Sequence, residues 1–199
     1  GAVAAVIPWN WPPMHTAVFG ALALATGNTM VMKPAPETPL SSLRIAELTA
    51  EILPPGVFNV VPGGVEPGAE LVRHPDVDFI TFTGSSMTGS KILAVAAERI
   101  VPTMMELGGK NASLIFGDSN LEKAVNGMLQ SAFSNSGQAC SGTERILVQR
   151  DVYQTFLDRF CAGVEKMKVG DGFDPTSEVG PIINRRQVER NSADIDRAV

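Results

Sequence analysis

The alternation of short apolar runs with amphipathic segments of helical length constrains the fold of this chain most. Five runs rich in β-branched or other apolar residues end at Pro, Gly or a polar turn, which is typical of buried strands: 2–7, 29–33, 58–61, 79–83 and 103–106. The segments 14–25, 39–52, 67–73 and 87–99 carry apolar residues at helical spacing. The pattern predicts an α/β fold, in which helices cover a parallel sheet.

A second series begins after Gly108 and Gly109. It predicts strands at 112–116 and 145–149, helices at 120–134 and 152–168, and a polar helix at 184–199. A domain boundary is therefore predicted near residue 108, dividing the chain into 1–108 and 109–199. The chain starts at Gly1 within an apolar run and ends without a helix-capping residue, so we expect an internal fragment of a longer protein.

Composition and charge exclude several classes of partner. The net charge is −5 and the 16 Lys and Arg residues are scattered, so neither nucleic acid nor an anionic membrane is an expected partner. No apolar run approaches the roughly 20 residues of a membrane-spanning helix, which predicts a soluble protein. Two cysteines cannot form a disulfide framework in a chain of this length, and a reducing compartment, the cytoplasm, is expected.

Two turns at predicted strand ends offer binding or catalytic groups. Gly84 and Ser85 join a strand to a helix, where free backbone N–H groups can bind phosphate, although most such junctions are plain turns. The spacing is not that of the ordinary dinucleotide fingerprint. Glu106 ends an apolar strand. It is either a partly desolvated general base or a solvated strand-end carboxylate.

Two further segments present a nucleophile and a hydrogen-bond donor. Cys140 follows a turn of small residues, which indicates a cysteine in a cleft, whereas Cys161 lies in a helical apolar run and is predicted to be an inert core residue. Asn10 sits between Trp9 and Trp11 at the end of the first strand. Its amide either donates to an oxyanion or bonds its own backbone.

These segments, in this order, resemble the aldehyde dehydrogenase superfamily over essentially the whole chain. The resemblance rests on PWN at 8–10, KPAPETP at 33–39, FTGS at 82–85, ELGGK at 106–110 and GQAC at 137–140. Glu106 and Cys140 are 140 − 106 = 34 residues apart, which is the separation found in the family. The resemblance implies that 1–108 is the later part of a Rossmann-like coenzyme-binding domain and that 109–199 is the early part of an α/β catalytic domain.

The resemblance also implies a mechanism. The thiolate of Cys140 attacks the aldehyde, and the thiohemiacetal passes hydride to NAD or NADP. Asn10 and the Cys140 backbone N–H stabilise the oxyanion, and Glu106 activates the water that hydrolyses the thioester. Acyl-CoA-forming relatives lack this glutamate, so its presence argues for a carboxylic acid as product.

For the coenzyme, the resemblance places Lys33 on the adenosine ribose, Gly84 and Ser85 on the pyrophosphate, and Trp9 beside the cofactor. Many NAD-using relatives have a glutamate where this chain has Pro36, with Glu37 next to it. Proline neither repels a 2′-phosphate nor binds the ribose hydroxyls, so NAD is only weakly preferred over NADP.

The aldehyde site is the least constrained part of the resemblance. The expected tunnel residues are Trp11, His15, Val18, Ala139 and Ser141, which favour an apolar or aromatic aldehyde without naming it. Phe19 stands where many relatives carry a lysine that assists proton movement, which puts the detail of thioester hydrolysis in doubt. The family also implies a homo-oligomer, a dimer or a tetramer.

Other classes of function fit less well. A cysteine hydrolase needs a histidine partner for Cys140, and only His15 and His74 are present; the same shortage of ligands argues against a metal site. A non-catalytic nucleotide-binding relative shares the fold, so it remains the alternative. The fragment by itself is expected to be weakly active or inactive.

Overall fold

The computed structural model describes residues 1–198, which form mixed α and β structure. Five parallel strands make the first sheet: β1 (Ala2–Val6), β2 (Thr29–Lys33), β3 (Phe58–Val60), β4 (Phe79–Gly84) and β5 (Thr103–Leu107). Their order is β3-β2-β1-β4-β5, so the chain reverses direction across the sheet after β3. This is a Rossmann-like arrangement, and it confirms the predicted α/β fold class.

Four helices connect these strands: α1 (Pro12–Ala25), α2 (Leu40–Ala50), α3 (Val65–Arg73) and α4 (Ser86–Arg99). The predicted elements agree with them to within about two residues at most ends. Pro39 precedes the first turn of α2 as its N-cap instead of lying inside it. Crossover connections that contain a helix are the usual way to join parallel strands.

The two faces of the five-stranded sheet bury separate apolar clusters. Alternate residues of β1 divide between them: Val3 and Ala5 pack with Phe19 of α1 on one face, and Ala4 packs with Ile92 of α4 on the other. A strand buried on both faces reads as a continuous apolar run, which is why 2–7 lacks alternation in the sequence.

A second series of elements follows Gly108. It contains the parallel pair β6 (Ala112–Ile115) and β7 (Arg145–Val148), with α5 (Leu121–Phe133), a 3₁₀ turn (Ser134–Gly137), α6 (Arg150–Lys166) and α7 (Arg185–Ala198). Ile115, Val125 and Phe156 form its buried cluster.

Contacts divide the chain into two compact units, Gly1–Gly108 and the residues from Gly109 onward. Within residues 1–198 no helix is long and apolar enough to cross a membrane. The predicted end of the last helix at Val199 falls outside the described residues.

Candidate functional site

The carboxyl ends of the parallel strands bring four of the predicted site residues to one edge of the first sheet. Asn10 lies in the loop after β1, Lys33 is the last residue of β2, Ser85 follows β4, and Glu106 lies one residue before the end of β5. Because ligands of open α/β sheets bind at this edge, near the point where strand order reverses, the placement suits a coenzyme site.

Lys33 is the most constrained charged residue of this edge. It is only 6% exposed, and its Nζ donates to the carbonyl oxygens of Pro34 at 2.8 Å and Gly63 at 3.0 Å. Burial lowers the pKa of Lys33, and the negative charge of Glu37 partly opposes that decrease. Pro36 and Glu37 are both exposed beside it.

Gly68 of α3 leaves the space through which the Lys33 side chain passes. A Cβ at this position would lie 3.1 Å from Cδ and 3.3 Å from Cε of Lys33. A larger residue at 68 would therefore press on the lysine.

The turn after β4 begins a capped helix. Ser85 is the N-cap of α4, and its Oγ accepts from the Thr88 backbone N–H at 3.3 Å. The first N–H groups of a helix have no partner within it, so those of Ser86 and Met87 remain available to a phosphate. At Gly84, a Cβ would lie 2.5 Å from the Phe82 ring, so the turn requires glycine for its close packing.

Glu106 is exposed in this structure. Its strand position pairs in register with Thr83 of β4. Asn10 is half-buried. Trp9 adjoins it and is also half-buried.

In the second unit, an unusual backbone precedes the predicted nucleophile. Asn135, Ser136 and Gly137 adopt the left-handed region in succession, with φ values of 51°, 60° and 72°. Two of the three are not glycine, so the turn stores strain of roughly 1–3 kcal/mol per such residue. Cys140 follows three residues later and is exposed.

Side chains from distant parts of the second unit hold this loop. Asn111 Nδ2 donates to the carbonyl oxygens of Cys140 at 2.5 Å and Gly142 at 3.0 Å. Thr143 Oγ1 lies 2.8 Å from the hydroxyls of both Ser113 and Ser131. These bonds fix the backbone on the carboxyl side of Cys140.

The amino side of the loop is held by the segment that precedes α7. Ser136 Oγ donates to the Gly180 carbonyl at 2.8 Å, and Gln138 Oε1 accepts from the Ile183 N–H at 2.9 Å. The thiol of Cys140 is thus exposed on a loop anchored at both ends.

The prediction that Cys161 is a core residue is wrong, because the structure exposes its side chain. On α6 the buried position is Phe156, and Phe160 stacks on it at 5.7 Å between ring centroids. Cys161 is one residue beyond Phe160, and the helical turn of about 100° per residue carries it away from that cluster.

The predicted tunnel residues do not share one environment. Trp11 and Val18 are 37% and 46% exposed on the open side of α1, whereas His15 is 6% exposed and stacks on Phe19 with ring centroids 5.7 Å apart. His15 therefore lies under the helix and not on its open side. In the second unit, Ala139 is half-buried and Ser141 is exposed.

The sequence profile of the aldehyde dehydrogenase family matches residues 1–199. The chain belongs to this family. It is 42% identical over 202 residues to the 2-hydroxymuconic semialdehyde dehydrogenase of Pseudomonas putida, covering 100% of this chain and 42% of that protein. The chain thus spans about two fifths of the length of the curated relative that it matches.

Solved structures share the fold. PnpE in complex with nicotinamide adenine dinucleotide superposes with a TM-score of 0.96 at 43% identity, over 98% of this chain and 41% of that one. An Escherichia coli NADP-dependent enzyme gives a TM-score of 0.95 at 38% identity, over 98% and 41%. The similar structures thus include one solved with NAD and one described as NADP-dependent.

Sequence reasoning missed the residues that hold the cysteine loop. Asn111 directly follows the ELGGK segment, and its position after a glycine-rich turn is the only local signal. Its two bonds span 29 and 31 residues, so no local pattern reveals them.

Proposed function

We propose that the protein carrying this chain oxidises an aldehyde to its carboxylic acid with NAD or NADP. The observation that supports this most is the group of residues at the carboxyl edge of the first sheet, where Lys33, Ser85, Asn10 and Glu106 each follow or end a parallel strand. The first unit then serves as part of the coenzyme-binding domain and the second as part of the catalytic domain.

The residues of this edge fit a dinucleotide. The buried ammonium of Lys33 suits a ribose, Gly68 keeps its path open, and the α4 N-terminus suits a pyrophosphate. Bound NAD or NADP supplies a hydride acceptor. With Pro36 in place of a carboxylate, the ribose 2′ position meets neither repulsion nor a hydrogen bond from that residue, and NAD is weakly preferred.

The chain's own groups account for the rest of the reaction. The Cys140 thiolate forms a bond to the aldehyde carbon, and its backbone N–H and the Asn10 amide stabilise the resulting oxyanion. Once hydride has left, a thioester remains on Cys140. Glu106 takes a proton from water, whose oxygen attacks the thioester and releases the carboxylic acid and the Cys140 thiolate.

Trp11, Val18, Ala139 and Ser141 are proposed to contact the aldehyde, and their mixed character favours an apolar or aromatic substrate. The protein is proposed to be a homo-oligomer, a dimer or a tetramer. The cytoplasm remains the proposed compartment.

The test is coenzyme reduction by the whole protein, followed at the absorbance of the reduced nicotinamide with a panel of aldehydes and both coenzymes. Cys140→Ala should abolish reduction and Glu106→Gln should limit it to at most one equivalent per site, because hydrolysis of the thioester then stops. Cys161→Ala is the matched control and should keep full activity. A folded protein that binds coenzyme and reduces none of it would establish a non-catalytic relative instead.

A further inference from the structure

Three buried polar atoms lie on one face of the first sheet without a hydrogen-bond partner among residues 1–198. They are Nε2 of His15 and the Oγ1 atoms of Thr81 and Thr83. All three residues are at most 6% exposed. Buried polar groups of this kind are normally bonded to protein or to an internal water, so this group requires an explanation.

The packing shows that these residues share the face covered by α1. Phe79 and Met104 pack against the cluster that contains Phe19 of α1, whereas Ile80 and Phe82 belong to the cluster on the opposite face. Side chains alternate along a strand, so Thr81 and Thr83 point to the α1 side with Phe79.

The same alternation places Glu106 on this face with Met104. Thr83 and Glu106 are register partners on adjacent strands, which lie about 4.8 Å apart in a sheet. The hydroxyls of β4 therefore share one face of the sheet with the buried imidazole and with the carboxylate near the end of β5.

The imidazole is electrostatically coupled to that carboxylate. Burial lowers the pKa of His15, while the charge of Glu106 raises it, so the ring is neutral at pH 7. Charged groups on the other elements around α1 are occupied elsewhere: Arg44 and Glu47 of α2 pair with each other on its exposed side, and Lys33 of β2 bonds two carbonyls. In the tautomer protonated on Nδ1, Nε2 is a hydrogen-bond acceptor.

We propose that His15 accepts, through water held by the hydroxyls of Thr81 and Thr83, the proton that Glu106 removes from the hydrolytic water. The proposal rests on the proposed function of Glu106. The proton leaves the Glu106 carboxyl and arrives on Nε2, which regenerates the carboxylate and leaves an imidazolium. No electrons are transferred, and the proton later returns to solvent by the same water. His15 is a positioning residue that acts through Glu106.

The kinetic test compares His15→Gln with His74→Gln, the same change at an exposed histidine, in the whole protein. His15→Gln should leave the first-turnover burst of coenzyme reduction unchanged and slow the steady-state rate about tenfold. A protonated His15 cannot accept, so the wild-type rate falls with decreasing pH below the pKa of His15, and the variant should lose this part of the profile. His74→Gln should match the wild type. Unchanged hydrolysis and an unchanged pH profile in His15→Gln would overturn the proposal.

A second measurement does not depend on turnover. The His15 ring titration, followed by NMR in the wild type and in Glu106→Gln, should shift to lower pH in the variant because the carboxylate no longer stabilises the imidazolium. An identical titration would overturn the coupling. If the wild type reduces no coenzyme at all, the proposed function fails, whereas the titration still decides whether His15 and Glu106 are coupled.

Discussion

Cys140 and Cys161 are both exposed, and their surroundings separate them at the scale of single residues. Cys140 follows a strained turn, and Asn111 holds its carbonyl. Cys161 lies on the outer side of a regular helix. Exposure therefore does not distinguish the two thiols, whereas the anchored loop does, and the loop supports the proposal that Cys140 is the nucleophile.

Lys33 gives a prediction at the same scale. Lys33→Met removes the ammonium while keeping the apolar part of the side chain, so coenzyme affinity should fall roughly tenfold, the value of one charged hydrogen bond of about 1.5 kcal/mol. Calorimetric titration of the whole protein with NAD measures the change.

Lys91, an exposed lysine of α4, offers the control as Lys91→Met, which should bind NAD as the wild type does. Equal affinity for Lys33→Met and the wild type would show that the buried lysine does not contact the coenzyme.

At the scale of elements, the ends of the strands alone position the proposed coenzyme residues of the first sheet, whereas the cysteine loop depends on long-range hydrogen bonds. Ser113 and Thr143 join β6 to the residues before β7, and Ser131 adds the end of α5. A substitution that breaks one of these contacts should displace the backbone of the whole cysteine loop.

Gly142 tests this dependence. A Cβ at 142 would lie 3.2 Å from the carbonyl oxygens of both Ala139 and Ser131, and neither backbone atom can move freely. Gly142→Ala should destabilise the protein by about 1–3 kcal/mol and change the rate at which Cys140 reacts with a thiol reagent. Thermal unfolding and mass-spectrometric labelling measure both effects.

Gly172 has open space around its Cβ position and supplies the control as Gly172→Ala. The Gly172→Ala protein should have the same thermal stability and the same rate of Cys140 labelling as the wild type. A Gly142→Ala protein with unchanged stability and labelling would mean that the loop tolerates displacement.

At the scale of the whole molecule, local sequence predicts most elements but not their tertiary environment. The run 29–33 matches β2 because Asn28 and Pro34 bound it clearly. The exposure of Glu106 depends on what covers the end of β5, which no local pattern contains. The face on which Cys161 lies depends on which turn of α6 packs inward, and apolar spacing left that choice open.

The buried imidazole makes stability depend on pH. The pKa of His15 is below 6.5 in the folded state, so the unfolded chain binds the proton more readily. The free energy of unfolding should then decrease as pH falls from about 6.5 through the folded-state pKa. His15→Met should weaken this decrease, and His74→Met, at an exposed histidine, should not. The thermal midpoint of the whole protein, followed from about pH 5 to pH 8, measures this decrease, because an ordinary histidine changes its charge in that range. Parallel curves for the wild type and His15→Met would contradict the buried neutral ring.

Cys140 is proposed to carry the acyl group during turnover. Glu106→Gln in the whole protein should accumulate the thioester after incubation with aldehyde and coenzyme, and peptide mass spectrometry should find the acyl mass on the peptide that contains Cys140. The adduct should be absent without coenzyme and absent in the Cys140→Ala, Glu106→Gln double variant. An acyl group on Cys161, or turnover with no adduct on Cys140, would contradict the account.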